Sequence, residues 1–213
     1  WHNTMTITTT NINKMEGHYV HKGTQDNTNY IVTENEPYEN SSLTHRRSVF
    51  HANKEFFVLV DELYMKNPEE AYNTGKYNLN FNLCAPENEI TFDNSNSKAA
   101  HGIHTNYSDN NNIVIYTSSE DYDSSATFKS NVSNDHGVVN IENRLGYKIS
   151  LRKNKDRKTI RAITVIYPTS NPTGTTINAE FTDGGYTGKA VAIKVTVNGT
   201  PYELSYTIPE NNN

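Results

Sequence analysis

The side chains here that can do chemistry are a few histidines, one arginine pair and scattered carboxylates. His2 stands just ahead of a β-rich run that starts at Met5. An imidazole suits proton transfer or charge stabilisation near neutral pH; the plainer reading is a partly exposed histidine near a chain end. His45-Arg46-Arg47 leads into Ser48-Val49-Phe50 and then Phe56-Phe57-Val58-Leu59-Val60-Asp61-Glu62. Adjacent residues of a strand point to opposite faces. One arginine can therefore bridge within the fold while the other meets solvent or a ligand, and the guanidinium fork fits carboxylate and sulfate. The alternative is a structural clamp in which Arg47 pairs with Asp61 across a hairpin. His18 and His21, and likewise His101 and His104, are spaced to share a metal, with Glu16, Asp26 or Asp61 supplementing the first pair. Neither pair has a third ligand at a telling distance, and solvated loop histidines are the better reading. Asp121 and Asp123 can hold calcium, but the regular oxygen-ligand spacing of a calcium loop is missing. The single Cys84 excludes a disulfide within the chain and a cysteine zinc cluster; its apolar run, Phe81–Ala85, reads as core.

No nucleophile elbow, phosphate loop, dinucleotide fingerprint or zinc-protease helix occurs. The 213 residues carry a net charge of −5 without a long Lys/Arg block. Duplex nucleic acid is thereby disfavoured as a partner, because phosphate neutralisation needs clustered positive charge. An anionic polysaccharide stays compatible, since a local basic cleft can oppose the global sign. No apolar run approaches the roughly 18 residues of a membrane span. The chain opens on Trp1 without an initiator methionine and reads as a fragment or processed product.

These residues must be positioned by strands. Helical periodicity is nearly absent, and short Val/Ile/Thr/Tyr-rich runs recur between Asn, Gly, Asp and Pro clusters. About a dozen strands are expected, from Met5–Thr10 to Pro201–Ile208. Asn53-Lys54 and Asn198-Gly199 mark hairpins. The runs flanking Asn53-Lys54 are apolar on both faces, as in the middle of a layered structure. The expected fold is all-β, an antiparallel two-sheet β-sandwich with long polar loops. It forms one domain over residues 1–209, with a disordered tail at 210–213. The Asp/Ser-rich stretch between Ser118 and Gly146 reads as an excursion loop.

Two segments carry a family resemblance. His2-Asn3-Thr4-Met5-Thr6-Ile7 resembles the His-Asn-Thr entry to the first strand of the C-terminal sandwich of heparinase II/III-type polysaccharide lyases. Tyr38 and the His45-Arg46-Arg47 hairpin with its Phe57-Val58-Leu59-Val60-Asp61 strand resemble the family's Arg-Arg hairpin. Ile163–Pro168 is similar to a late core strand of the same domain. The heparinase III branch, which acts on heparan sulfate, is the nearest in pattern.

The resemblance implies β-elimination at a uronic acid of a glycosaminoglycan, in a cleft between this sandwich and an N-terminal helical toroid. The toroid supplies a Tyr acid/base and an Asn/His carboxylate clamp, so the fragment alone is expected to be inactive. His2 becomes the catalytic residue contributed by the sandwich, with Asn3, His45 and Arg46 as substrate contacts. No cofactor is required for the chemistry. A structural divalent cation, calcium or zinc, is possible in the family and has no placed ligands here. A periplasmic or secreted location follows from the same resemblance. The competing expectation is a non-catalytic carbohydrate-binding or structural β-sandwich, for which a planar row of exposed aromatics would be the mark.

Overall fold

The computed structural model describes residues 5–7, 17–35, 43–65, 76–93, 100–132, 141–152, 159–185 and 187–210. Among these residues there is no α-helix and therefore none able to cross a membrane. The strands are β1 (Met5–Ile7), β2 (Gly17–Gln25), β3 (Thr28–Asn35), β4 (Leu43–Ala52), β5 (Phe56–Met65), β6 (Lys76–Pro86), β7 (Ile90–Asp93), β8 (Ala100–Thr105) and β9 (Asn112–Ser118). They continue with β10 (Tyr122–Val132), β11 (Ile141–Arg152), β12 (Thr159–Thr169), β13 (Ile177–Phe181), β14 (Ala190–Val197) and β15 (Thr200–Thr207).

All pairings are antiparallel. A central sheet has the order β2-β3-β4-β5-β12-β9-β8-β7, a second sheet β1-β6-β11-β10, and a third β13-β14-β15. The alternation of side chains along each strand explains the layering. Val58 and Val60 on β5 and Ile163 and Val165 on β12 pack with Val191, Ile193 and Val195 of β14 and Leu204 and Tyr206 of β15. Leu63 on β5 and Ile160 and Ala162 on β12 point the other way and pack with Met5, Tyr77, Leu79, Tyr147, Ile149 and Leu151 of the β1-β6-β11-β10 sheet. The sandwich expected from the sequence is present. The third sheet covers the other face of the central layer, which is why the β4–β5 runs are apolar on both sides.

Turn chemistry fixes the registers. Asn53 and Lys54 both take left-handed φ, 50° and 59°, and Glu55 N donates to Ala52 O at 2.9 Å. Two consecutive left-handed residues make a type I′ turn, whose twist matches the flanking strands. Asn198 and Gly199 are also left-handed, with φ of 50° and 82°, and form a two-residue loop between the paired Val197 and Thr200, whereas Glu55 adds a third residue to the loop between Ala52 and Phe56.

Three expectations are corrected. Tyr122–Val132, inside the stretch read as an excursion loop, is β10, paired along its length with β11. His18 and His21 lie on β2, and His101 and His104 on β8, rather than in loops. The physical reason is shared: β2 is a largely exposed edge strand, and β8 and β10 are rich in His, Gly, Ser and Asp. None shows the apolar alternation by which a half-buried strand is read.

Candidate functional site

The polar chemistry of the described chain concentrates where β4 and β5 carry Arg46-Arg47 opposite Asp61-Glu62. The β4–β5 register sets Arg46 against Glu62 and Arg47 against Asp61. Successive residues then send one ion cluster to each face of the sheet.

On the face of the four-stranded sheet, Asp61 is fully buried. Its Oδ1 accepts from His45 Nε2 at 2.6 Å and from Arg47 Nε at 2.7 Å, and its Oδ2 accepts from Arg47 Nη2 at 3.1 Å. Burial alone would raise the Asp61 pKa. The charge of Arg47 and the hydrogen bonds from His45 and Arg47 outweigh it and hold the carboxyl at about 2. The clamp between Arg47 and Asp61 is thus present.

On the other face, registers align Glu34 with Arg46, Arg46 with Glu62, and Glu62 with Arg161, a row of alternating charge across β3, β4, β5 and β12. Arg46 donates through Nε and Nη2 to Glu34 Oε2 at 3.0 and 2.8 Å, and through Nη1 to Gly188 O at 2.6 Å. Arg161 donates through Nε to Glu62 Oε1 at 2.9 Å and bidentately to Asp183 at 2.8 and 2.5 Å, with its guanidinium 3.8 Å from the centre of the Phe181 ring. Asp183 and Gly188 belong to the β13–β14 connection, so both arginines fasten the third sheet to the central one. Glu62 is the odd member. Its Oε2 is buried with no hydrogen-bond partner among the described residues. Desolvation pushes its pKa up to about 7, against the lowering influence of Arg161 and Arg46.

His45 and Arg46 were candidates for substrate contact. They are 4% and 7% exposed. Their bonds run inward, to Asp61 and to Glu34 and Gly188, and the geometry gives them a scaffolding task. His2 and Asn3 lie outside the described residues. Asp121 is buried, and its Oδ2 accepts from the backbone N of Arg161 at 3.3 Å. Among the described residues no three His, Cys, Asp or Glu side chains gather to hold a metal. A structural calcium or zinc therefore has no fitting donor set among those residues. Sequence reasoning missed Glu34, Glu62, Arg161 and Asp183 as one network. The usable signal was an Arg-Arg pair opposite an Asp-Glu pair at equal distance from one turn.

Residues 1–179 match the heparinase II/III-like C-terminal family, and the chain belongs to that family. A heparin-sulfate lyase of Bacteroides thetaiotaomicron is 39% identical over 210 residues, covering 97% of this chain and 28% of that protein. A heparin-sulfate lyase of Bacteroides stercoris is 28% identical over 96% of this chain and 28% of its own length. A crystal structure of heparinase III superposes with a TM-score of 0.81 at 35% identity, covering 97% of this chain and 29% of that one. The chain thus spans under a third of the length of the curated relatives it matches.

Proposed function

We propose that this chain is the C-terminal domain of a polysaccharide lyase that cleaves a heparan sulfate-like glycosaminoglycan by β-elimination, in the periplasm or outside the cell. The observation that carries the reading is the 39% identity to a heparin-sulfate lyase, which runs along 97% of the chain rather than through one motif. The fold-level likeness to heparinase III supports the same reading.

In this reaction a base removes the proton on C5 of the uronate, and the electron pair forms the C4–C5 double bond. The C4–oxygen bond breaks, and the departing oxygen takes a proton. The barrier lies in the weak acidity of C5, so the sugar carboxylate must be neutralised and a base held in place. In the proposal the clamp and the Tyr acid/base belong to an N-terminal helical body. The sandwich contributes one wall of the cleft, with His2 assisting the proton transfer and Asn3 contacting the sugar.

The ionic network supports this division of labour. Its buried cations are already matched to Asp61, Glu34 and Asp183, so they hold the wall rather than act on substrate. The test is to give the intact enzyme heparan sulfate and, separately, a galactosamine-containing chondroitin sulfate. Ultraviolet absorption from an unsaturated uronate is expected with the first. Products with saturated ends, or no cleavage of either polymer, would overturn the reading.

A further inference from the structure

The charge row between the central and third sheets does not balance. The side chains of Glu34, Arg46, Glu62, Arg161 and Asp183 are each at most 11% exposed, and they set three carboxylates against two guanidiniums. Each guanidinium already has a carboxylate of its own. Arg46 holds Glu34 through Nε and Nη2, and Arg161 holds Asp183 through two parallel bonds. Glu62 is the surplus anion. It accepts one bond, from Arg161 Nε, and its Oε2 has no donor among the described residues. An uncompensated buried charge is strongly disfavoured, and a carboxyl in that position sheds it by taking a proton. One proton on Glu62 makes the row neutral.

Every described element packed around Glu62 is accounted for. Glu34 comes from β3, Arg46 from β4, Arg161 from β12 and Asp183 from the β13–β14 connection. From β15 comes Tyr206, whose phenol is pushed up to about 12 by burial and by Glu62 and so stays neutral. From β5 itself comes Tyr64, whose hydroxyl accepts from Arg46 Nη2 at 3.4 Å. The two arginines are also the fasteners of the third sheet. Arg46 Nη1 donates to Gly188 O at 2.6 Å. The Asp183 carboxylate that Arg161 grips accepts as well from Gly185 N at 3.1 Å and Ala192 N at 3.2 Å, which ties the connection into β14. An ionised Glu62 competes with Asp183 for Arg161 and with Gly188 O for Arg46. A donor drawn to Oε2 from either arginine is withdrawn from the connection.

We infer that Glu62 is a proton-operated latch on the β13–β14 connection: protonated, it leaves both arginines on the third sheet, and ionised, it draws them back and frees the connection. The latch is independent of the lyase reading and works whatever the substrate. Burial, the chief influence on Glu62, places its titration at about 7. The latch is therefore closed in mildly acidic medium and slackens as pH rises through that value. Opening hydrates the carboxyl and returns it to its ordinary 4.5. Each unit between the two values is worth about a factor of ten in the opening equilibrium.

The test is limited trypsin digestion of the intact enzyme at pH 6 and pH 8, read by mass spectrometry. The bond after Lys189, at the β14 end of the connection, reports the latch, and the bond after Lys54, in the exposed β4–β5 turn, is the internal reference. Each wild-type rate is divided by that of Glu62→Gln at the same pH, which cancels the pH dependence of trypsin itself. The Lys189 ratio should rise about tenfold from pH 6 to pH 8, while the Lys54 ratio changes by less than about twofold. A flat Lys189 ratio would overturn the latch. An equal rise at Lys54 would also overturn it, because the whole fold and not the connection would then be loosening. Asp183→Asn removes the anion that holds Arg161 and should expose Lys189 at both pH values. A variant as resistant there as Glu62→Gln would show that the connection is fastened by other contacts, and the latch would fall.

Discussion

Replacing Glu62 by Gln isolates the one member of the ionic network whose charge the fold disfavours. Glu62 is about 1% exposed, bonded through Oε1 to Arg161 Nε at 2.9 Å, and its pKa is raised from 4.5 to about 7. A carboxyl whose folded pKa lies above its unfolded value favours folding most fully below the unfolded pKa. That contribution is lost as pH rises through the folded one. At about 1.4 kcal/mol per unit, the shift removes roughly 2–3 kcal/mol of stability between pH 5 and pH 8. Gln mimics the protonated acid and does not titrate. Urea denaturation of both proteins at pH 5 and pH 8 cancels every other titrating group. The stability gap between variant and wild type should move by 2–3 kcal/mol in favour of Gln at the higher pH, by the same linkage. A gap that stays constant within about 0.5 kcal/mol would mean that Glu62 is ionised throughout, and the desolvation argument would fail.

Asp61 should behave in the opposite sense. With its pKa held at about 2 against an ordinary 3.8, its contribution is present above the ordinary value and lost on acidification. Acid titration of stability should show about 2 kcal/mol lost between pH 4 and pH 2, and Asp61→Asn should abolish that slope. Asp61→Ala strands Arg47 and His45, and should destabilise by about 3–5 kcal/mol in urea melts. In the third sheet, Asn198 combines a φ of 50° with a side-chain bond to Thr176 N at 2.9 Å. Asn198→Val should therefore cost about 2 kcal/mol, and Asn198→Gly, which keeps the backbone geometry, less than about 1 kcal/mol; equal losses would place the cost elsewhere.

Much of the scaffold was legible because hairpins announce themselves. Asn53-Lys54 and Asn198-Gly199 marked both turns, but the register of the first, which pairs Arg47 with Asp61, depends on Glu55 joining the loop as a third residue. The Arg-Arg hairpin also carried the family. What escaped were strands whose fit is set by neighbours rather than by their own pattern. β10 draws its place from β11, and β2 from β3 with a bulge between Tyr19 and His21. The lateral ion row escaped for a related reason. Arg161 is about 100 residues from Glu62 in the chain, and only the β5–β12 pairing brings them together. Burial then decides the tasks of His45 and Arg46, and no local spacing of residues encodes burial.

In the proposed function this sandwich lends a reactive group, His2, to chemistry completed by another part of the enzyme. Steady-state kinetics of His2→Ala in the intact enzyme, with heparan sulfate as the proposed substrate, tests this role. Turnover reduced by about 10²-fold with thermal stability unchanged is the expected result. Wild-type turnover in that variant would contradict it.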